Sequence, residues 1–204
     1  MKKTKVFNWT NGIKEEELEE VIHVLENDGV IIFPTDTVYG IGCNCFSEKG
    51  IEAIFQAKNR ARNKPINVLT DSVDKMKEIG NINSKEEKLI TRYMPGALTI
   101  IVDKKEKVPN VLTAGLDTVG VRIPKNDIAL KILKEYPYPV ATTSANVSGE
   151  DAGIKVEDFK EYFDGLVDII IDGGETEIQI ASTIVRVEDE AIKVLREGSI
   201  KIED

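Results

Sequence analysis

The chain has 204 residues, long enough for one sizeable α/β core and barely long enough for two small ones. Hydrophobic residues make up 41% and charged residues 31%, the balance of a globular protein and not of a disordered or fibrous one. A net charge of −9 argues against a wide nucleic-acid footprint, which needs clustered Lys and Arg, so any anion site has to be local.

The longest apolar runs, such as Val30 to Phe33 and Ile169 to Ile171, fall far short of the roughly 20 residues of a membrane span. The Met1-Lys2-Lys3 start lacks the apolar run of a signal peptide, and a cytoplasmic location is expected. Cys43 and Cys45 are expected on opposite faces of an extended segment, where a disulfide between them would be strained. Two sulfurs and the isolated His23 do not complete a zinc site, so no protein metal site is expected.

Glu15, Glu16 and Glu17 precede Leu18, Val21, Ile22 and Leu25 at helical spacing, with Gly29 as terminator, and predict a helix whose acidic start suits its dipole. Val30 to Phe33, closed by Pro34, reads as a short buried strand, followed by the loop Thr35-Asp36-Thr37-Val38-Tyr39-Gly40. From Ser47 as N-cap, Ile51, Ile54, Phe55 and Lys58 share one helical face, which leans Lys58 inward. A strand at Ile66 to Thr70 and a short helix at Val73 to Ile79 come next. Ser84 with Glu87 three residues on forms a capping-box pattern for a helix that ends before Pro95.

Ala97 to Val102 is a strand rich in β-branched residues, Asp103 to Asp117 is looser, and Thr118 to Ile123 is a strand ended by Pro124. Helix Asp127 to Glu135, strand Val140 to Thr143, helix Val156 to Phe163 and strand Val167 to Ile171 continue the alternation. Ser182 to Val187 and Ala191 to Leu195 flank Glu188-Asp189-Glu190 as a hairpin, which favours a mixed sheet. With no repeat, linker or low-complexity tract, the pattern predicts one layered α/β domain over residues 1–204.

Four stretches could carry chemistry. Lys58-Asn59-Arg60-Ala61-Arg62-Asn63-Lys64 gathers cations in an acidic chain, either as a clamp for phosphate or carboxylate or as a solvated helix end. Thr142-Thr143-Ser144-Ala145-Asn146-Val147-Ser148-Gly149 follows an apolar strand directly, where ligands of open α/β sheets gather; an ordinary polar turn and helix cap reads equally well. The Thr35 to Gly40 loop has hydroxyls that could orient a polar substrate, or is a strand continuing past a Pro bend. Arg122 alternates with Val121 and Ile123, and a lone Arg in an apolar strand needs an acidic partner or a bound anion. His23, among apolar neighbours, reads as structural. No Walker loop, dinucleotide Gly fingerprint, Ser-His-Asp order or two-metal carboxylate set is present, so a nucleotide site has to be built from scattered side chains.

These stretches, in this order from about Gly12 to Ile200, resemble the YrdC-like family of threonylcarbamoyl-AMP synthases. The matching pieces are Phe33 to Gly40, Ala57 to Arg60, Pro95 to Thr99, Val119 to Arg122, Ser144 to Gly149, Ser182 to Val185 and Leu195 to Gly198. Each motif is weak alone, and their ordered co-occurrence is specific. The resemblance implies a twisted mixed sheet flanked by helices, with a concave ligand cavity, in the short single-domain form.

It also implies a nucleotidyltransferase that makes threonylcarbamoyl-AMP and pyrophosphate from L-threonine, bicarbonate and ATP, with Mg2+ accompanying the nucleotide. The product serves the t6A base at position 37 of tRNA. Further partners would then be the t6A transferase proteins, with tRNA reached indirectly and only weak RNA binding by this chain. By position, Lys58, Arg60, Ser144 and Asn146 form the catalytic Lys-x-Arg and Ser-x-Asn signature. Arg60, Lys64, Thr118, Ser144, Ala152 and Arg196 correspond to nucleotide contacts, and Thr37, Leu69, Arg122 and Thr142 to the threonine pocket. The chain departs from the family at Asp36, Ala61 and Leu69, where relatives commonly carry Glu, Pro and His.

Two other readings compete. A carbamoyl-transfer domain of the hydrogenase-maturation kind lacks support, because this sequence has no zinc-finger cysteines and no acylphosphatase-like segment. An RNA-binding module would use Lys58 to Lys64 as its footprint, a single short patch in an acidic chain.

Overall fold

Every strand among the described residues, 3–189 and 191–203, joins one mixed sheet in the computed structural model. In chain order the strands are β1 (Lys5–Asn8), β2 (Ile31–Phe33), β3 (Gly40–Asn44), β4 (Asn67–Leu69), β5 (Gly80–Asn81), β6 (Leu98–Lys104), β7 (Thr118–Arg122), β8 (Val140–Ser144), β9 (Ile169–Asp172), β10 (Thr183–Glu188) and β11 (Ala191–Arg196). The helices are α1 (Glu15–Glu26), α2 (Glu48–Ala57), α3 (Val73–Ile79), α4 (Ser84–Tyr93), α5 (Asp127–Glu135) and α6 (Lys160–Phe163). Across the sheet the order is β1-β9-β2-β3-β8-β4-β7-β6-β10-β11, with β5 on β6. Parallel pairs such as β4 with β7 stand beside antiparallel ones such as β4 with β8, so the expected mixed pairing holds.

Alternation along the strands sorts the core into two layers. Ile31, Phe33, Ile169 and Ile171 pack with Leu18, Val21 and Leu25 of α1 and with Ala129, Ile132 and Leu133 of α5. Ile32, Ile41, Val68, Val121 and Ile170 face the other way, onto Ile51 and Ile54 of α2, Met76 of α3, Leu89 of α4 and Phe163 of α6. The α1/α5 layer includes Leu69 and Val140. Two residues away on each strand, before Leu69 and after Val140, Asn67 and Thr142 share that face and wall a cavity.

Local expectations succeed where one short-range rule dominates. Ser47 caps α2 by accepting from Gly50 N at 2.9 Å, and α3 and α5 span the expected residues. The capping box falls one residue early, because Asn83 accepts from Lys85 and Glu86 N while the Glu86 carboxylate accepts from Asn83 N. The helix expected at Val156 to Phe163 is a 3-10 turn at Val156–Asp158 followed by the short α6. Strands β1 and β5 add to the expected set, and β3 gives the extended segment assumed around Cys43 definite bounds; it begins Gly40-Ile41-Gly42, whose glycines hide it from propensity.

The expectation that Cys43 and Cys45 face opposite sides was wrong. Alternate residues of an extended chain share a side, and both thiols are free and buried in the α2 layer. Burial pushes both thiols well above their ordinary range, so they stay protonated and unreactive. Met1 and Lys2, used in the leader argument, and Glu190 of the hairpin turn lie outside the described residues. No helix among the described residues is long and apolar enough to cross a membrane.

Candidate active site

The ends of β3, β4, β7 and β8 and the loop before β3 enclose a cavity of about 140 Å3 that opens to solvent. Among the predicted site residues, Thr37, Leu69, Arg122, Thr142, Ser144, Ala152 and Arg196 line it. Lys58, Arg60, Lys64, Thr118 and Asn146 do not. The four threonine-pocket positions therefore come together, and the nucleotide and signature positions divide.

Arg122 ends β7 opposite Leu69 and is 6% exposed. Its Nη2 donates to Asp36 Oδ1 at 2.5 Å, its Nη1 to Thr37 Oγ1 at 3.0 Å and its Nε to Gly96 O at 2.9 Å. Each Nη keeps a second N–H beyond these bonds, and Arg122 lines the cavity. Burial pulls this guanidinium below its usual range, opposed by Asp36, and it stays charged because free arginine titrates so high. The acidic partner that a lone strand arginine demands is thus Asp36, itself 2% exposed, with Oδ2 buried and without a partner among the described residues. Asp36 lies in the candidate Thr35 to Gly40 loop, but its pairing with Arg122 shows only in the structure, since the sequence separates the two by 86 positions.

Lys58 follows the last turn of α2 and is 1% exposed. Its ammonium donates to Ser144 O, to Asn146 O at 2.6 Å and to Asn146 Oδ1 at 3.1 Å. Ser144 Oγ donates to the same Asn146 Oδ1 at 2.5 Å, and Ser148 N bonds Lys58 O at 3.0 Å. The inward lean is confirmed, and the ammonium's hydrogen bonds go to Ser144 and to the loop after β8. Lys58 and Asn146 thereby hold Ser144, which lines the cavity. Burial, with the Arg60 guanidinium adding to it, pushes the Lys58 ammonium down to about 7. Near neutrality the ammonium with three N–H groups and the amine with two are therefore close in free energy.

The rest of the cation cluster separates in the same way. Asn59 takes a left-handed φ of 48°, which turns the chain out of α2. Arg60 then donates from Nη2 to Pro65 O at 2.8 Å and from Nε to Lys64 O at 3.3 Å, which pins the following loop. Arg62 pairs with Glu52 on α2, and Lys64 is exposed. Thr118 lies at the far end of β7 from Arg122, about 13 Å along the strand.

Arg196, at the end of β11, donates to Ser182 O from Nη2 at 2.7 Å and to Ser182 Oγ at 3.1 Å, and Ser182 Oγ bonds Thr99 Oγ1 at 2.8 Å. Thr99, Ile184 and Arg196 stand in one row across β6, β10 and β11, which extends the cationic wall beyond Arg122. A strap closes the other side: Ile178 N bonds Asp36 O at 3.0 Å, and Gln179 N bonds Thr37 O at 2.9 Å. Tyr39 Oη donates to Gly174 O at 2.7 Å, anchoring the strap's start. Thr35 and Tyr39 of the singled-out Thr35 to Gly40 loop line the cavity, and so do Asn67, Thr99 and Ser182, which were not assigned a role. The quoted Pro95 to Thr99 and Ser182 to Val185 stretches were the available signal for Thr99 and Ser182.

The fold is a mixed α/β sheet whose strand ends and flanking loops bring two guanidinium groups to one cavity, a site chemically suited to small anions. The chain belongs to the Sua5/YciO/YrdC family, described as telomere recombination, which matches residues 23–198. It is 35% identical to the threonylcarbamoyl-AMP synthase of Pyrococcus abyssi, over 98% of this chain and 59% of that protein. A putative threonylcarbamoyl-AMP synthase of Methanocaldococcus jannaschii is 33% identical over 94% of this chain and 92% of its own length. The crystal structure of P. abyssi Sua5 complexed with L-threonine matches with a TM-score of 0.92 at 36% identity, covering 96% of this chain and 58% of that one. The chain thus spans under two thirds of the P. abyssi protein and nearly all of the M. jannaschii one.

Proposed function

We propose that the chain is an L-threonylcarbamoyladenylate synthase, a nucleotidyltransferase that works in the cytoplasm and supplies the intermediate for t6A modification of tRNA. The observation that carries this reading is the pair of guanidinium groups, Arg122 and Arg196, on one cavity. Arg122 has N–H groups left for a carboxylate beside the hydroxyls of Thr37 and Thr142, which suits L-threonine, the molecule named in the P. abyssi complex. Arg196 and Ser144, which line the same cavity, are the groups this reading assigns to the polyphosphate.

In the proposed sequence, the threonine amine condenses with bicarbonate, losing water to give a carbamate. A carbamate oxygen then attacks the α-phosphorus of ATP, the bond to the bridging oxygen breaks, and pyrophosphate leaves. The chain needs no nucleophile of its own. Its part is to hold two anions together, where fixed cations offset their repulsion and alignment removes the entropy of encounter. Among the described residues no group of three His, Cys, Asp or Glu side chains could cage a metal. On this reading Mg2+ accompanies the nucleotide as part of the substrate.

The RNA-footprint reading is less favoured, since Lys58 is buried and the patch is left with three cations in an acidic chain. The t6A transferase proteins are the partners this reading implies. It is tested by following pyrophosphate release from ATP with L-threonine and bicarbonate supplied or withheld in turn. Release that needs both is expected, and release indifferent to L-threonine overturns the proposal.

A further inference from the structure

We propose that Asn67 is a ligand-binding residue of this cavity, a neutral hydrogen-bond donor to a negatively charged oxygen of the bound reactants. This inference rests on the proposed function and deepens it, since it concerns how the same cavity handles its crowded anions.

Asn67 opens β4 opposite Thr142 of β8, on the cavity face, with Leu69 next on that side. Its Oδ1 lies 2.2 Å from the point that a Cβ on residue 120 would occupy, so the amide has a seat only because that residue is Gly120. The seat also orients the amide. An oxygen against the Gly120 backbone meets Cα hydrogens favourably, whereas an amide nitrogen there would press hydrogen against hydrogen. The N–H groups of Asn67 are thereby turned toward the cavity.

Neighbouring polar groups are already engaged within the protein. Thr142 Oγ1 donates to Val140 O at 3.1 Å, Thr35 and Thr37 hydroxyls bond each other at 3.0 Å, and Thr99 bonds Ser182. The Asn67 side chain, by contrast, makes no hydrogen bond among the described residues. A half-buried amide with idle donors beside Arg122 offers a hydrogen bond without adding charge, and the matching group is an anionic oxygen. That oxygen belongs either to the amino acid, as carboxylate or carbamate, or to a phosphate.

The test is calorimetric titration of the full chain with L-threonine, ATP with Mg2+, and inorganic pyrophosphate, in the wild type, Asn67→Ala and Asn67→Asp. Alanine is expected to weaken one class of ligand about tenfold, and aspartate, which keeps the shape but turns the donor into an anion, about a hundredfold. Loss confined to L-threonine assigns the amino-acid oxygen, and loss confined to ATP and pyrophosphate assigns a phosphate; either supports the inference. Unchanged binding in both variants overturns it while leaving the proposed function intact. Equal loss for all three probes with a lowered melting temperature also overturns it, as a folding defect. A wild type that binds none of the probes overturns the proposed function and this inference together.

Discussion

Lys58 and Arg122 are both buried cations beside one cavity, and they face in opposite directions. The knot after β8 turns Lys58 onto Ser144 O and both oxygens of Asn146, so its charge is consumed in holding backbone. The floor at the end of β7 anchors Arg122 on Asp36, Thr37 and Gly96 and still leaves N–H groups beyond these bonds. An ammonium has three N–H groups that carbonyls can saturate. A guanidinium has more, in a planar fork, and can serve the protein and a ligand together. The division of labour between knot and floor follows from that difference in valence.

The largest effect should come from the floor. Arg122→Ala leaves Asp36 buried without its counter-charge, which should cost roughly 3–5 kcal/mol of stability and reduce threonine-dependent pyrophosphate release at least a hundredfold. Adding Asp36→Val to an Arg122→Met background should restore much of the melting temperature and none of the activity. A single Arg122→Ala protein as stable as the wild type would break the comparison.

Lys58→Met should act next, by releasing the loop rather than a ligand. Amides of residues 144–149 should exchange faster, with a stability loss of about 1–3 kcal/mol and activity falling with the misplaced Ser144. The pH dependence has a definite sign. Folded Lys58 gives up its proton near 7, whereas the unfolded chain keeps it to about 10.4. Between those values the unfolded state binds more protons, so wild-type stability should rise with pH relative to Lys58→Met, by up to about 1.4 kcal/mol per pH unit. Urea unfolding of both proteins at several pH values from neutral to about 9.5 measures this, and a constant difference would place the proton elsewhere.

Lys64→Ala should have the smallest effect and sharpens the contrast, because Lys64 is exposed and belongs to neither knot nor floor. Stability should stay within about 0.5 kcal/mol, and ATP affinity should fall a few-fold at low salt, with the difference vanishing as salt rises. Isothermal titration at two ionic strengths reads it, and a salt-independent loss would mean a fixed contact.

Legibility followed the range of the interaction. The inward lean of Lys58 could be read from Ile51, Ile54 and Phe55, because three turns of one helix decide which way a side chain faces. What it met could not, since Ser144 and Asn146 arrive from 86 and 88 positions away. For the same reason Arg122 could be seen to need a partner and not that the partner was Asp36. Asn83 displaced Ser84 as the cap of α4 because both fit the local pattern, and one helical register had to win.

The amino-acid order by itself determined the α/β alternation, the capped helices, the two-sided apolar strands and the gathering of cations after α2, all consequences of periodicity within about a dozen residues. Only the tertiary structure decided the strand order, the strap across Asp36 and Thr37, and which cations face the cavity. Those depend on donors and acceptors from distant segments meeting where water is excluded, and there each buried charge goes to whichever oxygens reach it.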